Sequence, residues 1–178
     1  DKFPALKTLL TTEYHASPYM EKYVLEALFC MDAPEEALDR IRKRYKTMVE
    51  YPGLTTLPEN WIDETIQLKP GEPMINAFWG TYNHGWSGGP LTLLSQKVCG
   101  IEPTSPGFRT FRIRPQMGYL KQASCHVSSV SGEISVNIQR KGKKLQIDVT
   151  VPSGTTAEVV FPSGKTRTLQ SGTHSIRG

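Results

Sequence analysis

The hydrophobic period of this chain changes partway along, and that change limits the fold more than any other feature. Apolar residues first recur at helical intervals, as in Met20, Val24, Leu28 and Met31, then Leu38, Ile41, Tyr45 and Met48. After the breaker-rich stretch Glu102-Pro103-Thr104-Ser105-Pro106-Gly107 they alternate with polar residues instead. Ile134, Val136 and Ile138 form one such set, Leu145, Ile147, Val149 and Val151 a second, and Ala157, Val159 and Phe161 a third. Period two places these side chains on one face of a strand. Glycines at 132, 142, 154, 164 and 172 supply turns at the spacing of hairpin-linked strands. The expectation is an α+β chain in two parts, helices and loops over 1–102 and an antiparallel β-sandwich over 103–178.

Helix boundaries are legible in the first part. Phe3 to Thr12 reads as one helix. Ser17-Pro18 opens the next, with serine as N-cap and proline at the first helical position. Ala33-Pro34-Glu35-Glu36 opens a third, with acids in its first turn and bases from Arg40 to Lys46, an order that complements the helix dipole. The short connection between the second and third predicts an antiparallel helical hairpin. A further helix is expected from Pro90 to Gly100, with Leu91, Leu94 and Val98 on its apolar side.

Charge is divided unevenly. Residues 1–102 carry 10 Lys/Arg against 14 Asp/Glu, whereas 103–178 carry 11 against 3, a formal +8. The basic residues of the second part are spread over strands and turns without an RNA-binding signature, so no nucleic-acid partner is expected. The run Arg40-Ile41-Arg42-Lys43-Arg44 reads as the solvated face of an amphipathic helix. No apolar run approaches the roughly 20 residues a membrane helix needs, and no membrane partner is expected. Cys30, Cys99 and Cys125 are far apart and have no metal-ligand spacing, so they read as buried or free thiols, with no metal and no cofactor expected.

Chemistry concentrates on the loops. From Glu50 to Thr81 periodicity fades, yet Trp61, Ile62, Ile66, Met74, Ile75, Phe78 and Trp79 keep the segment rich in large apolar groups. Long irregular segments of that composition are usually functional. The stretch from Trp79 to Leu94, WGTYNHGWSGGPLTLL, delivers Tyr82, Asn83, His84 and Trp86 to a helix start. Glu59 is the best carboxylate, held behind the stiff Pro58, with Asp63 and Glu64 nearby. His126 and His174 fall alone in predicted strands and read as structural.

Two of these segments carry a resemblance. Asn83-His84-Gly85-Trp86-Ser87-Gly88-Gly89-Pro90 resembles a late motif of bacterial α-L-rhamnosidases, and Thr55-Thr56-Leu57-Pro58-Glu59-Asn60-Trp61 is similar to that family's Thr-Thr-x-x-Glu-x-Trp segment. Many members carry Trp where this chain has Pro58. The resemblance covers the whole chain, as the C-terminal part of a longer protein, and the opening Asp1-Lys2-Phe3-Pro4 suits such a piece. It implies some of the helices of an (α/α)6 barrel followed by a C-terminal β-sandwich. It also implies an inverting glycoside hydrolase with Glu59 as general base and His84 on the sugar.

Trp61, Trp79, Asn83 and Trp86 join His84 as candidate substrate-binding residues, the indoles offering apolar faces to a sugar ring. A glycosidase needs a second carboxyl group, and the resemblance puts the general acid upstream of these residues. The expected partners are therefore a rhamnose-containing glycan or glycoside and the upstream part of the same polypeptide. The isolated piece is expected to be inactive. The alternative is a non-catalytic carbohydrate-binding or structural module in which the aromatic loop binds sugar and no bond is cut.

Overall fold

The computed structural model describes residues 3–62 and 80–178. Asp63, Glu64 and Trp79 lie outside the described residues. The chain forms two compact units, Asp1–Leu93 and Leu94–Gly178. Among the described residues no helix is long and apolar enough to cross a membrane.

The first unit contains α1 (Phe3–Thr12), α2 (Pro18–Cys30), α3 (Pro34–Glu50) and a short α4 (Gly89–Leu93) entered through a 3-10 turn at Gly85–Gly88. Ser17 caps α2 as expected, its hydroxyl accepting the Met20 N–H at 3.3 Å. The buried face of α2 differs from the expected stripe. Leu25, Leu28 and Phe29 are buried while Met20 is exposed, because the face is turned to include Glu21.

Glu21 is fully buried and forms an ion pair with Arg40 of α3, which is itself buried. Arg40 also donates to the carbonyls of Leu10 and Glu13. The ring of Tyr14 lies 4.8 Å from its guanidinium. The basic run of α3 is thus a solvated face only in part: Arg42 and Lys43 are exposed, whereas Arg40 points inward and Arg44 is half-buried beside Glu21. A pattern that scores arginine as polar misses this, since a buried charge is tolerated once it is paired and hydrogen-bonded.

The fourth helix is also rephased. It was expected to run evenly from Pro90 to Gly100, but the α turns end at Leu93 and a π turn spans Leu94–Val98. With the preceding 3-10 turn this puts Leu93 and Val98 inside and leaves Leu91 74% exposed. Gly89 allows α4 to cross α2 closely, because a Cβ there would lie 2.7 Å from the Cβ of Lys22.

The second unit is a two-sheet sandwich. Its strands are β1 (Ile101–Pro103), β2 (Thr110–Ile113), β3 (Gln122–Ser129), β4 (Gly132–Lys141), β5 (Lys144–Val151), β6 (Thr156–Val160), β7 (Thr166–Leu169) and β8 (Gly172–Arg177). One sheet has the order β3-β4-β5-β8 and is antiparallel throughout. The other has the order β1-β2-β6-β7, and its central pair, β2 with β6, is parallel, in register Phe111 with Ala157 and Ile113 with Val159. That pair departs from the antiparallel expectation. Hairpin turns join only consecutive strands, and β6 reaches β2 after the chain has built most of the opposite sheet.

The alternating residues do what their spacing requires. Ile134, Val136, Ile138, Leu145, Ile147, Val149, Val151, Ala157, Val159 and Phe161 all lie in one core, joined by Phe111, Ile113 and Ile176. Each large aliphatic or aromatic side chain buried there contributes about 1.5–3 kcal/mol.

Candidate active site

The site lies wholly on the first unit and is made by two loop segments. Glu59 N–H donates to the Thr81 carbonyl at 2.9 Å, and His84 N–H donates to the Leu57 carbonyl at 3.0 Å. The Thr56 hydroxyl donates to the Tyr82 carbonyl. These bonds fasten 56–59 alongside 81–84 as a short ladder. Pro58 is buried, and its carbonyl accepts the hydroxyl of the buried Ser87 at 2.8 Å. The loop holding Glu59 is therefore tied directly to the turn that starts α4.

Glu59, Thr81 and His84 form one connected group. The Thr81 N–H donates to Glu59 Oε2 at 3.1 Å, and its hydroxyl donates to the same oxygen at 3.4 Å. Thr81 Oγ1 lies 2.6 Å from His84 Nδ1. With the threonine proton directed at the carboxylate, Nδ1–H becomes the donor to Thr81 Oγ1, leaving Nε2 as the acceptor of a neutral ring. His84 Nδ1 is 3.7 Å from Glu59 Oε2, and the two side chains are 23% and 31% exposed. These contacts all fall on Glu59 Oε2.

Gly80 makes the arrangement possible. Its φ of +107° is a conformation that side chains disfavour, and a Cβ at this position would lie 2.6 Å from Glu59 Oε2.

The aromatic residues divide into two environments. Trp86 is 47% exposed and stacks at a tilt between His84, with ring centroids 4.1 Å apart, and Tyr19, at 4.9 Å. Tyr19 in turn meets Tyr23 edge-on at 5.8 Å, extending the aromatic row along α2. The hydrogen bond with Tyr23 raises the pKa of the Tyr19 phenol above its ordinary value. Trp61 is held differently. Its N–H donates to the Ala16 carbonyl at 2.8 Å, Tyr45 packs against it edge-on, and the Arg44 guanidinium lies 4.0 Å from its ring. Asn83 is exposed on the loop beside His84.

Among the candidates, Glu59, His84 and Trp86 come together, whereas Trp61 is engaged with α3 and the α1–α2 connection. Sequence reasoning missed Thr81, Gly80, Ser87 and Tyr19. Tyr19 and Tyr23 carried one faint signal, a four-residue spacing on α2 beside the apolar stripe. Thr81 and Gly80 carried none, since their importance comes from a contact across the loop. Among the described residues no group of three histidine, cysteine or acidic side chains is placed to hold a metal ion.

A helical unit with a carboxylate and an imidazole on its loops, followed by a two-sheet sandwich, defines the class. Residues 100–176 match the family model described as the bacterial α-L-rhamnosidase C-terminal domain. An α-L-rhamnosidase of Streptomyces avermitilis is 32% identical over 114 residues, covering 62% of this chain and 10% of the relative.

The crystal structure of the Streptomyces avermitilis α-L-rhamnosidase complexed with L-rhamnose superposes with a TM-score of 0.68 at 24% identity, covering 88% of this chain and 17% of that one. The rhamnosidase of Bacillus sp. GL1 gives a TM-score of 0.73 at 24% identity, covering 90% and 17%. The helices and the sandwich thus share the fold of these solved structures. The chain spans only about a tenth of the length of the curated relatives it matches.

Proposed function

We propose that this chain forms the C-terminal part of an α-L-rhamnosidase and supplies the general base for hydrolysing terminal α-L-rhamnosyl units with inversion. The observation that carries this is the state of the Glu59 carboxylate. One oxygen, Oε2, is fixed by Thr81 beside His84, and the side chain is 31% exposed. Inversion requires a water on the ring face opposite the leaving group and a carboxylate to deprotonate it. A carboxylate anchored through one oxygen can aim the other at such a water.

His84, oriented by Thr81, supplies an imidazole nitrogen to a sugar hydroxyl, and Trp86 offers an apolar face next to it. Asn83 and Trp79 complete the proposed sugar contacts, while Trp61, held against α3, supports the loop that carries Glu59. The general acid belongs to the upstream part of the polypeptide, so this chain alone carries half of the catalytic pair.

The test uses a longer protein containing this segment. Glu59→Gln keeps the size of the side chain and removes its basicity, and kcat for an aryl α-L-rhamnoside should fall about 10²–10⁴-fold with little change in substrate affinity. Azide supplied to this variant should give the glycosyl azide of inverted configuration, because a small anion can occupy the water position and attack without a base. Near-normal kcat in Glu59→Gln would place the base elsewhere, and turnover by the 178-residue chain within tenfold of the longer protein would show that both catalytic groups lie within it.

A further inference from the structure

Five cations of the second unit, spread over the sequence from 143 to 177, converge on one cleft. Lys143 comes from the β4–β5 turn and Lys144 from the start of β5, Lys165 and Arg167 from the β6–β7 turn and the start of β7, and Arg177 from the end of β8. They line a cleft of about 530 Å³ whose lining also includes Phe161 and Gly178 and contains no acidic side chain. The two sheets hold these segments firmly. Leu145 and Gly178 exchange backbone hydrogen bonds at 2.9 and 3.2 Å, and Phe161 N–H donates to the Lys165 carbonyl at 2.8 Å to close the other turn.

The acidic side chains of this unit are committed elsewhere. Glu102 pairs with Lys97, Glu158 with Arg112, and Glu133 with His126. Asp148 accepts hydrogen bonds from Ser175 and Gln146. All five cleft cations are exposed, and among the described residues none has an ion-pair partner. Five like charges around a concave surface raise the local concentration of anions, and bound anions relieve their mutual repulsion.

We propose that this cleft binds an anionic polysaccharide through its carboxylate or sulfate groups. Arg167 and Arg177 would offer planar two-pronged donors and the lysines point charges. A single-stranded nucleic acid is the poorer fit, because such sites stack bases on exposed aromatic rings. Phe161, the one aromatic residue of the cleft, is buried. The choice of a glycan also rests on the glycosidase reading above. The site is separate from Glu59 and would hold acidic polymer near the enzyme without taking part in bond cleavage.

Affinity electrophoresis of the 178-residue chain through gels containing polygalacturonate, dextran sulfate or neutral dextran tests this. Retardation is expected with one or both acidic polymers and not with neutral dextran, weakening as salt screens the charges. The double variant Arg167→Ala/Arg177→Ala should bind at least tenfold more weakly. Arg109→Ala/Lys121→Ala, which removes the same charge from exposed positions outside the cleft lining, should bind as the parent does. Glu59→Gln should bind normally, so failure of the catalytic reading would leave this result standing.

No retardation by either acidic polymer, or equal weakening by both double variants, would overturn a localised site. Tighter binding to single-stranded DNA than to both acidic polymers would overturn the assignment to a glycan. Exposed side chains without partners are not needed for folding, and unchanged circular dichroism of the cleft variant would make its loss a loss of binding.

Discussion

The helical unit and the sandwich bury their side chains by different rules. In the sandwich one continuous apolar core is filled by the inward residues of both sheets, and Thr155 is the buried polar residue among those described there. In the helical unit the α2–α3 interface is closed around a buried Glu21–Arg40 pair, and large apolar groups such as Phe3, Leu9, Met20, Val49 and Leu91 remain exposed. A core of apolar groups is insensitive to small changes in charge state, whereas an ion pair in the interior depends on every partner being present. The first unit also leaves apolar surface that neighbouring structure in a longer polypeptide would cover, which is the partner proposed for it above. The loops that carry Glu59 and His84 are thus mounted on the unit with the more exposed apolar surface.

The largest expected effect comes from breaking the pair. Arg40→Met removes the cation while Glu21 stays buried, and should cost about 4 kcal/mol in the helical unit, within the range for stranding a buried charge. All three tryptophans lie in residues 61–86, so tryptophan fluorescence during urea unfolding follows this unit alone. The fluorescence midpoint should drop sharply, while hydrogen exchange in β4 and β5 stays unchanged. Adding Glu21→Gln to Arg40→Met should recover much of the loss. An unchanged midpoint in the single variant would mean that the pair contributes little and the contrast between the units is wrong.

Next comes the reciprocal experiment. Ile147 is fully buried between β4 and β8, and Ile147→Ala should cost the sandwich about 3 kcal/mol from lost transfer energy and the cavity left behind. Here hydrogen exchange of the sandwich strands should accelerate and the tryptophan transition should stay in place. Parallel shifts in both probes would show that the two units unfold as one.

The smallest effect is a pH dependence. Burial, with the nearby Cys125 adding to it, pushes the Cys99 thiol up to about 12 from an ordinary value of 9.0. Between these values the unfolded chain has lost the proton and the folded chain keeps it, so stability is complete below pH 9 and declines as pH rises towards 12. The decline is at most about 1.4 kcal/mol per pH unit for one group. Thermal unfolding from pH 8 to pH 10.5 should show a shallower loss in Cys99→Ala than in the parent. Identical slopes would remove Cys99 as the cause.

Much of the sandwich could be read directly from the chain. A period of two leaves one way to bury Ile134 to Ile138 and Leu145 to Val151, and the turn glycines between them fix the hairpins. The helix starts were equally local, because Ser17 and Pro18 act on their own backbone. Glu59 and His84 were found through the company they keep in sequence, and the structure brings their side chains within 3.7 Å.

Other features depend on residues far apart in the chain, and no local pattern records them. The inward turn of Arg40 is set by Glu21 on another helix, and the parallel β2–β6 pair is set by a crossover past the opposite sheet. Thr81 and Gly80 gain their roles only when the 56–59 and 81–84 segments lie side by side. Likewise, Lys143 and Arg177 share a cleft only because the strands that carry them end together. The sequence by itself determined the class of each element, since period, caps and turns act over a few residues. Only the tertiary structure decided which polar groups meet, because electrostatics and hydrogen bonding act through space.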